Sequence, residues 1–167
     1  ISIEMHEKEQ KYIPELIFGE LLTSSNYTDG DIKHVGGKNG YGAKLANIFS
    51  IQFTIETVDR HKQKKFSMSF YDNKTRKDKP KITNYTSKPY TKISYIPDFA
   101  RFKSTGITDD MMALMEKRAY DLSACTESDV AIYFNDTKID CKNFERYTEL
   151  YLGPKKEHPR VYERVNH

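Results

Sequence analysis

Two neighbouring segments in the middle of the chain alternate between apolar and polar side chains. Residues 51–58 place Phe53 and Ile55 on one side, and residues 66–70 repeat the pattern with Phe66, Met68 and Phe70. A period of two predicts half-buried strands, and the short separation of the two segments predicts a hairpin. Because such a hairpin has one apolar face, a second layer has to cover it.

Helical periodicity flanks these strands. The sequence predicts helices over residues 14–22, 43–49, 109–123 and 143–152, and further strands over residues 81–86, 91–96, 130–134 and 138–140. In the helix over 43–49 we expect Leu45, Ile48 and Phe49 to face the core. Short connections between strands favour an antiparallel sheet. The predicted fold is therefore α/β (α+β): a two-layer sandwich of a mainly antiparallel mixed sheet with helices on one face.

Composition limits the classes of protein to which the chain can belong. Its 167 residues are 37% hydrophobic and 31% charged, which is typical of one globular domain with a core of its own. The longest apolar stretch, residues 13–22, contains Pro14, Glu15 and Glu20. A membrane span needs about 18 apolar residues, so we expect no membrane segment.

Cysteine and histidine are too sparse for a fold stabilised by several disulfide bonds or by a structural metal ion. Cys125 and Cys141 are the two cysteines, and the five histidines are scattered. We therefore expect no disulfide framework and no metal site in this chain, and two free thiols without a secretion signal fit a reducing compartment. Because the chain begins with Ile1, we expect it to be part of a longer protein. Residues 1–152 are the expected domain, and the polar residues 153–167 are the expected linker.

Positive charge is concentrated in one segment. The net charge is +3, yet residues 60–81 hold nine Lys or Arg side chains against Asp72 and Asp78. The favoured interpretation is a solvated hairpin whose lysine-rich edges discourage aggregation. The alternative is a surface for a polyanion such as DNA.

A glycine-rich segment precedes the helix predicted over 43–49. Residues 36–42 contain four glycines. Glycine allows tight turns and close approach of a ligand, and free amides at a helix start favour a bound anion. With Lys38, Asn39 and Lys44 as further donors, the segment predicts a polyphosphate site. Lys44 is followed by Leu45, which excludes a Walker loop, and no strand precedes the glycines, which excludes the dinucleotide fingerprint. A loop that only packs a helix against a sheet is the alternative.

The order of these motifs carries a family resemblance. Residues 13–27 and 36–50, with co-linear similarity around Phe53, Tyr90, Pro97, Lys117 and Tyr147, closely resemble the ATPase region of type IIA DNA topoisomerases of the eukaryotic kind. The resemblance extends to about residue 152. It implies the Bergerat ATP-binding fold shared by gyrase, Hsp90, histidine kinases and MutL. It also implies ATP and Mg²⁺ as cofactors, a homodimer that passes double-stranded DNA, and no membrane. The implied location is the nucleus for a cellular eukaryote, or the host cytoplasm or an organelle for a viral or organellar protein.

The resemblance also implies roles for individual residues. Phosphates are expected to contact Lys38, Asn39, Gly40, Tyr41, Gly42, Ala43 and Lys44. Ribose and phosphate are expected to contact Ser24, Ser25 and Asn26, while Thr91, Ile17 and Phe18 are expected near the adenine. The alternative for Thr91 is an ordinary strand residue, and for Ile17 and Phe18 it is ordinary core.

The chain departs from the family pattern in several places. Lys38 stands where arginine is common, which keeps the charge but loses the bidentate fork. The usual threonine before Gly36 is missing. The general-base glutamate and the magnesium-binding asparagine are expected upstream of Ile1, and the transducer lysine beyond His167.

We therefore expect no catalytic residue and no metal ligand in this chain. The acidic side chains of Glu4, Glu7 and Glu9 are not expected to replace the missing base, and Tyr41 is not the DNA-cleaving tyrosine of the family. The isolated chain is expected to hydrolyse ATP weakly or not at all. Two alternatives remain: a nucleotide-responsive dimerisation module without turnover, and a domain that chiefly binds DNA through residues 60–81.

Overall fold

A computed structural model describes residues 1–21, 40–127 and 129–163 of the chain. They form two compact units, Ile1–Thr105 and Gly106–His167. No helix in the described ranges is long and apolar enough to cross a membrane.

The first unit is a sheet with two helices. Its elements are β1 (Met5–His6), β2 (Lys11–Tyr12), α1 (Ile13–Gly19), α2 (Tyr41–Ile48), β3 (Ser50–Asp59), β4 (Lys64–Tyr71), β5 (Arg76–Lys77), β6 (Lys81–Asn84), β7 (Thr91–Pro97) and a 3₁₀ turn at Phe99–Phe102. Strand β3 lies between β4 and β7, while β5 and β6 both pair with β4. Every one of these pairings is antiparallel. The predicted mainly antiparallel sheet is therefore confirmed.

One face of this sheet carries the core, and we call it the covered face. Phe53 pairs with Phe70, Ile55 with Met68 and Thr57 with Phe66, so their side chains share that face. The apolar members of these pairs form one buried cluster with Ile3, and Phe18 of α1 and Ala46 of α2 pack against it. The helices therefore cover the apolar face, as the alternation predicted.

The opposite face carries mostly polar side chains, and we call it the open face. It comprises the alternate residues Gln52, Thr54, Glu56 and Val58 on β3, Lys65, Ser67, Ser69 and Tyr71 on β4, Arg76 on β5, Lys81 and Thr83 on β6, and Lys92, Ser94 and Ile96 on β7. Thr54 and Ser69 share a hydrogen bond of 2.9 Å between their hydroxyl oxygens. Within the first unit, α1 and α2 lie on the other side of the sheet.

The second unit contains two helices and a short hairpin. Its elements are α3 (Asp109–Cys125), β8 (Tyr133–Phe134), β9 (Thr137–Lys138) and α4 (Phe144–Leu152). Thr108 and Asn143 cap the two helices by accepting hydrogen bonds from Met111 N and Arg146 N. Ala124, Ile139 and Cys141 form its small core.

Side-chain hydrogen bonds join the two helices of the second unit. Asp121 of α3 accepts from Lys117 Nζ at 2.8 Å and from the hydroxyl of Tyr147 of α4. The Lys117 ammonium, followed by the Tyr147 hydroxyl, lowers the pKa of Asp121 to about 2. Beyond α4, Arg160 Nη2 donates to the carbonyl of Gly153 at 2.8 Å, and Tyr162 hydrogen-bonds to Thr148. The first residues of the segment predicted to be a linker thus lie against α4.

Several element boundaries differ from the predicted ones. Helix α1 ends at Gly19 because Glu20 is extended, with φ −117° and ψ 132°. Strand β8 is shorter than the predicted 130–134, since only Tyr133 and Phe134 find partners in β9. The β1–β2 hairpin was not predicted. Its strands have two residues each, which is too short for an alternation to be visible.

Candidate functional site

The start of α2 is the first part of the candidate site. Gly40, the residue before the helix, has φ +64°, a left-handed conformation that glycine adopts without strain. No side chain in the described part of the chain caps this helix start. The first-turn residues Tyr41, Gly42 and Ala43 are exposed. Their backbone amides have no partner within the helix, and N–H groups at a helix start favour a bound anion.

Lys44 is the second part of the site. Only 4% of its surface is exposed, although it is a lysine in the first turns of a short helix. Among the residues that the structure describes, its ammonium group has no hydrogen-bond or ion-pair partner. Burial, and then the positive charge of Lys74, lower the pKa of Lys44. A buried cation without a counter-charge is unfavourable. The arrangement is thus suited to receive a negatively charged group.

Asn47 lies three residues further along α2, on the same face as Lys44. It is 1% exposed, and its Nδ2 donates to the carbonyl of Phe18 at 3.0 Å, which ties α2 to α1. Its Oδ1 is buried and has no partner in the described ranges. Asn47 is not among the site residues predicted from the sequence. The signal was its spacing of three from Lys44, which places both on one helix face.

The buried face of α2 differs from the predicted one. Leu45 was expected in the core, but it is 43% exposed, and Lys44 and Asn47 are buried instead. Ile48 and Phe49 are half-buried. The helix therefore turns two polar side chains inwards at the cost of an exposed leucine. Apolar periodicity does not predict that orientation.

Thr91 lies at one end of β7, on the covered face. Its hydroxyl oxygen is 2.8 Å from that of Thr57, which is fully buried on β3. Thr57 was not singled out in the sequence, although it occupies the position where the alternation of Phe53 and Ile55 calls for an apolar residue. At the other end of β7, Pro97 pairs with Ser50, where the chain leaves α2. The two ends are about 20 Å apart, at 3.3 Å per residue.

The two predicted adenine-wall residues have different surroundings. Ile17 is 40% exposed. Phe18 packs against the core, with its ring centroid 6.3 Å from that of Phe53. The structure thus gives Phe18 a packing role and leaves Ile17 accessible.

The other predicted site residues divide into those the structure describes and those it does not. Gly40, Tyr41, Gly42, Ala43 and Lys44 belong to the start of α2. Ser24, Ser25, Asn26, Lys38 and Asn39 lie outside the described residues.

The acidic residues near the start of the chain lie in or beside the β1–β2 hairpin, where Glu4, Glu7 and Glu9 are exposed. Glu4 pairs with Lys62 at 3.1 Å. In the described ranges, no three His, Cys, Asp or Glu side chains converge to hold a metal ion.

Comparison with known proteins places the whole chain in one family. No protein-family model matches it. DNA topoisomerase 2 of Penicillium chrysogenum is 49% identical over 90% of this chain, and DNA topoisomerase 2 of Acanthamoeba polyphaga mimivirus is 46% identical over 100% of it. The chain spans only 9% and 13% of the length of these two relatives.

A solved structure agrees with these relatives. The crystal structure of the ATPase region of Saccharomyces cerevisiae topoisomerase II superposes with a TM-score of 0.90 at 44% identity, over 99% of this chain and 44% of that one. The predicted fold class is thereby confirmed, and so is the resemblance read from the glycine-rich segment and its neighbours. The chain belongs to the DNA topoisomerase II family.

Proposed function

We propose that this chain is the ATP-binding part of a DNA topoisomerase II. In the parent protein, ATP binding and hydrolysis drive closure of a dimer gate and the passage of one DNA duplex through another. The names of the relatives and the yeast ATPase region support this proposal. Among the described residues, the observation that carries it is the buried side chain of Lys44, which has no hydrogen-bond or ion-pair partner there, beside a start of α2 that no side chain of those residues caps.

The triphosphate is the natural partner for this arrangement. The amides of Tyr41, Gly42 and Ala43 supply donors at the positive end of the helix dipole. Lys44, the next residue of the helix, supplies a full positive charge. Burial strengthens that charge–charge interaction, because water screens it less than at the surface. Lys38, Asn39, Ser24, Ser25 and Asn26 remain predicted contacts to phosphate and ribose.

The adenine end of the site is proposed at β7. The hydroxyl pair of Thr91 and Thr57 offers a donor and an acceptor at the edge of an otherwise apolar face. Ile17 is accessible for contact with a flat aromatic base, while Phe18 holds α1 against the core beneath it.

Magnesium and the catalytic base are proposed to come from outside this chain. The exposed positions of Glu4, Glu7 and Glu9 do not suit a buried general base. The chain alone is thus expected to bind ATP with little turnover. The parent protein is proposed to be a homodimer and, in a cellular eukaryote, to be located in the nucleus. Nucleotide contacts that differ between open and closed states of the parent are what let ATP binding shift the gate.

Titration calorimetry with a non-hydrolysable ATP analogue and magnesium tests the proposal. We expect the chain to bind, and Lys44→Ala to weaken binding about tenfold to a hundredfold, the range for a hydrogen bond to a charged group. Lys65→Ala removes the same charge from the open face and should leave the affinity unchanged. Binding that is equal in all three proteins, or absent from the unaltered chain, contradicts the proposed site.

Phosphate release measures the turnover. With saturating ATP, we expect the unaltered chain to release phosphate no faster than Lys44→Ala. Robust hydrolysis above that variant would show that the chain contains its own base, and the expectation of a base outside the chain would then be wrong.

A further inference from the structure

Three lysines on the open face form a pattern fixed by the strand register. Lys92 of β7 pairs with Glu56 of β3, Glu56 with Ser67 of β4, and Ser67 with Lys81 of β6. One row of side chains therefore crosses four strands and has a lysine at each end. Because adjacent strands are about 4.8 Å apart, the two lysines start about 14 Å apart. Lys65 lies on β4 in the next row.

No ion pair joins these lysines to an acidic side chain in the described residues, in contrast to three other basic residues of the same unit. Lys62 pairs with Glu4, Lys77 with Glu15 and Arg76 with Asp72. Across the described ranges, by contrast, Lys65, Lys81 and Lys92 make no ion pair and no side-chain hydrogen bond. Such cations retain their charge for a partner.

Acidic groups near this face are few and already hydrogen-bonded. Glu56 accepts a hydrogen bond from the hydroxyl of Tyr90 at 2.8 Å, and Asp78 accepts one from that of Tyr71 at 3.0 Å. Both carboxylates keep their charge, but on this face Glu56 stands against Lys65, Lys81 and Lys92, so the face is positive overall.

A cleft continues this positive surface at one end. It has a volume of about 360 Å³, and its lining includes Arg60, Lys88, Thr86, Ser87 and Val58. Val58 pairs with Lys65, so the cleft lies beside Lys65. Arg60 and Lys88 are exposed and have no ion-pair partner in the part of the chain that the structure describes. Two cations and two hydroxyls in one cleft match the groups that contact phosphate oxygens.

The side chains between the lysines are short and polar. Thr54, Ser67, Ser69, Thr83 and Ser94 leave a shallow surface of hydroxyl groups. The buried centre of a protein–protein interface is usually aromatic and apolar, whereas on this face the apolar and aromatic side chains, Val58, Tyr71 and Ile96, lie at the two ends and the centre is polar. Contacts to a nucleic-acid backbone come from Lys, Arg, Ser and Thr, which this face supplies.

We propose that the open face, together with the adjoining cleft, binds the phosphate backbone of duplex DNA without reading its sequence. No helix or arm of the first unit projects from this face in the described residues, so backbone contact rather than groove reading is the expected mode. The choice of DNA among polyanions rests on the proposed function. The site itself is separate from Lys44, because it lies on the opposite side of the sheet.

Fluorescence anisotropy with a labelled 20-base-pair duplex of mixed sequence tests this proposal. The matched variants are K65Q/K81Q/K92Q on the open face and K138Q/K142Q/K156Q in the second unit, where the three lysines are also exposed. Each phosphate contact contributes about 0.9 to the slope of log K against log salt concentration. We thus expect the open-face variant to lower that slope by about 2.7 and the control variant to leave it nearly unchanged. Equal losses in both variants, or no binding by the unaltered chain at 50 mM salt, overturn the proposal.

Acetylation footprinting gives a second readout that needs no substitution. Bound duplex should protect Lys65, Lys81 and Lys92 from an amine-reactive acetyl donor, as measured by mass spectrometry, and leave Lys138 and Lys142 reactive. Protection of the second set alone overturns the proposed surface.

Calorimetry of both triple variants with the ATP analogue separates this proposal from the proposed function. Loss of DNA affinity with unchanged nucleotide affinity supports the surface. If the unaltered chain binds DNA through these lysines but binds no nucleotide, the proposed function fails and the surface remains.

Discussion

The two faces of the sheet use the same strands for different chemistry. On β3, Phe53 and Ile55 are buried under α1 and α2, whereas Thr54 and Glu56, one residue away in each case, face the open side. On β4, Phe66 and Met68 alternate in the same way with Ser67 and Ser69. Because the side-chain period is two, the buried core and the proposed anion site lie on one face, while the other face carries mostly polar side chains. Substitutions on the two faces should therefore have separable effects.

The largest expected difference is between Phe53→Ala and Thr54→Ala. Phe53 is 1% exposed in the middle of the core, so its truncation should lower the free energy of unfolding by about 3–5 kcal/mol. Thr54 loses one hydrogen bond to Ser69 at a partly exposed position, which should cost about 1 kcal/mol or less. Urea unfolding followed by circular dichroism measures both. Similar losses in the two variants would show that the open face is packed as firmly as the covered one.

The approach of α1 to the covered face gives the second difference. A Cβ atom added at Gly19 would lie 2.9 Å from Cζ of Phe70, a ring that is 1% exposed and has little room to move. Gly19→Ala should therefore lower the free energy of unfolding by about 1–3 kcal/mol through overpacking. Gly42→Ala is the matched control, because nothing lies within 4 Å of its added Cβ. Alanine is favoured over glycine in a helix, so the control should be neutral or more stable by up to about 1 kcal/mol. A neutral Gly19→Ala would show that α1 can shift away from the sheet.

Sequence patterns predicted the sheet better than they predicted the site. The alternation of Phe53 and Ile55 with polar neighbours is a local property, and it was sufficient for the hairpin and for its covered face. The predicted orientation of α2 was wrong at Leu45, which is exposed. Lys44 and Asn47 are buried instead, and Asn47 donates a hydrogen bond to α1. Thr57 was missed because its role depends on Thr91, 34 residues away in the chain. Pairings of this kind are set by strand register, and the periodicity of a single segment does not predict which residue of another strand lies opposite.

A smaller effect is expected from replacing the buried cation on the covered side. Lys44→Met keeps a long side chain and removes an ammonium that has no partner in the described residues. We expect the unliganded chain to become more stable by about 1 kcal/mol, because a buried charge without a partner in that part of the chain is lost. Lys65→Met on the open face removes a solvated charge and should change the stability by about 0.5 kcal/mol or less. Thermal unfolding without nucleotide compares the two, and a destabilised Lys44→Met would indicate that Lys44 already has a partner in the folded chain.

The smallest expected effect is on the pH dependence of nucleotide binding. Burial lowers the pKa of Lys44 from its ordinary value of 10.5, so the unliganded chain loses this proton at a lower pH than an exposed lysine does. Bound phosphate favours the charged form, so binding above the lowered pKa has to take up a proton, and the affinity should fall as the pH rises towards 10.5. Lys44→Arg keeps its charge throughout this range and should flatten the dependence.

The same lowered pKa fixes the sign of the effect on stability. The unfolded chain holds the Lys44 proton more tightly than the folded chain does, so between the lowered pKa and 10.5 the stability contributed by this group should rise with pH. Nucleotide affinity and stability thus depend on pH in opposite directions. Calorimetry in two buffers of different ionisation enthalpy detects the proton taken up on binding. A pH-independent affinity in the unaltered chain would mean that Lys44 does not contact the phosphate.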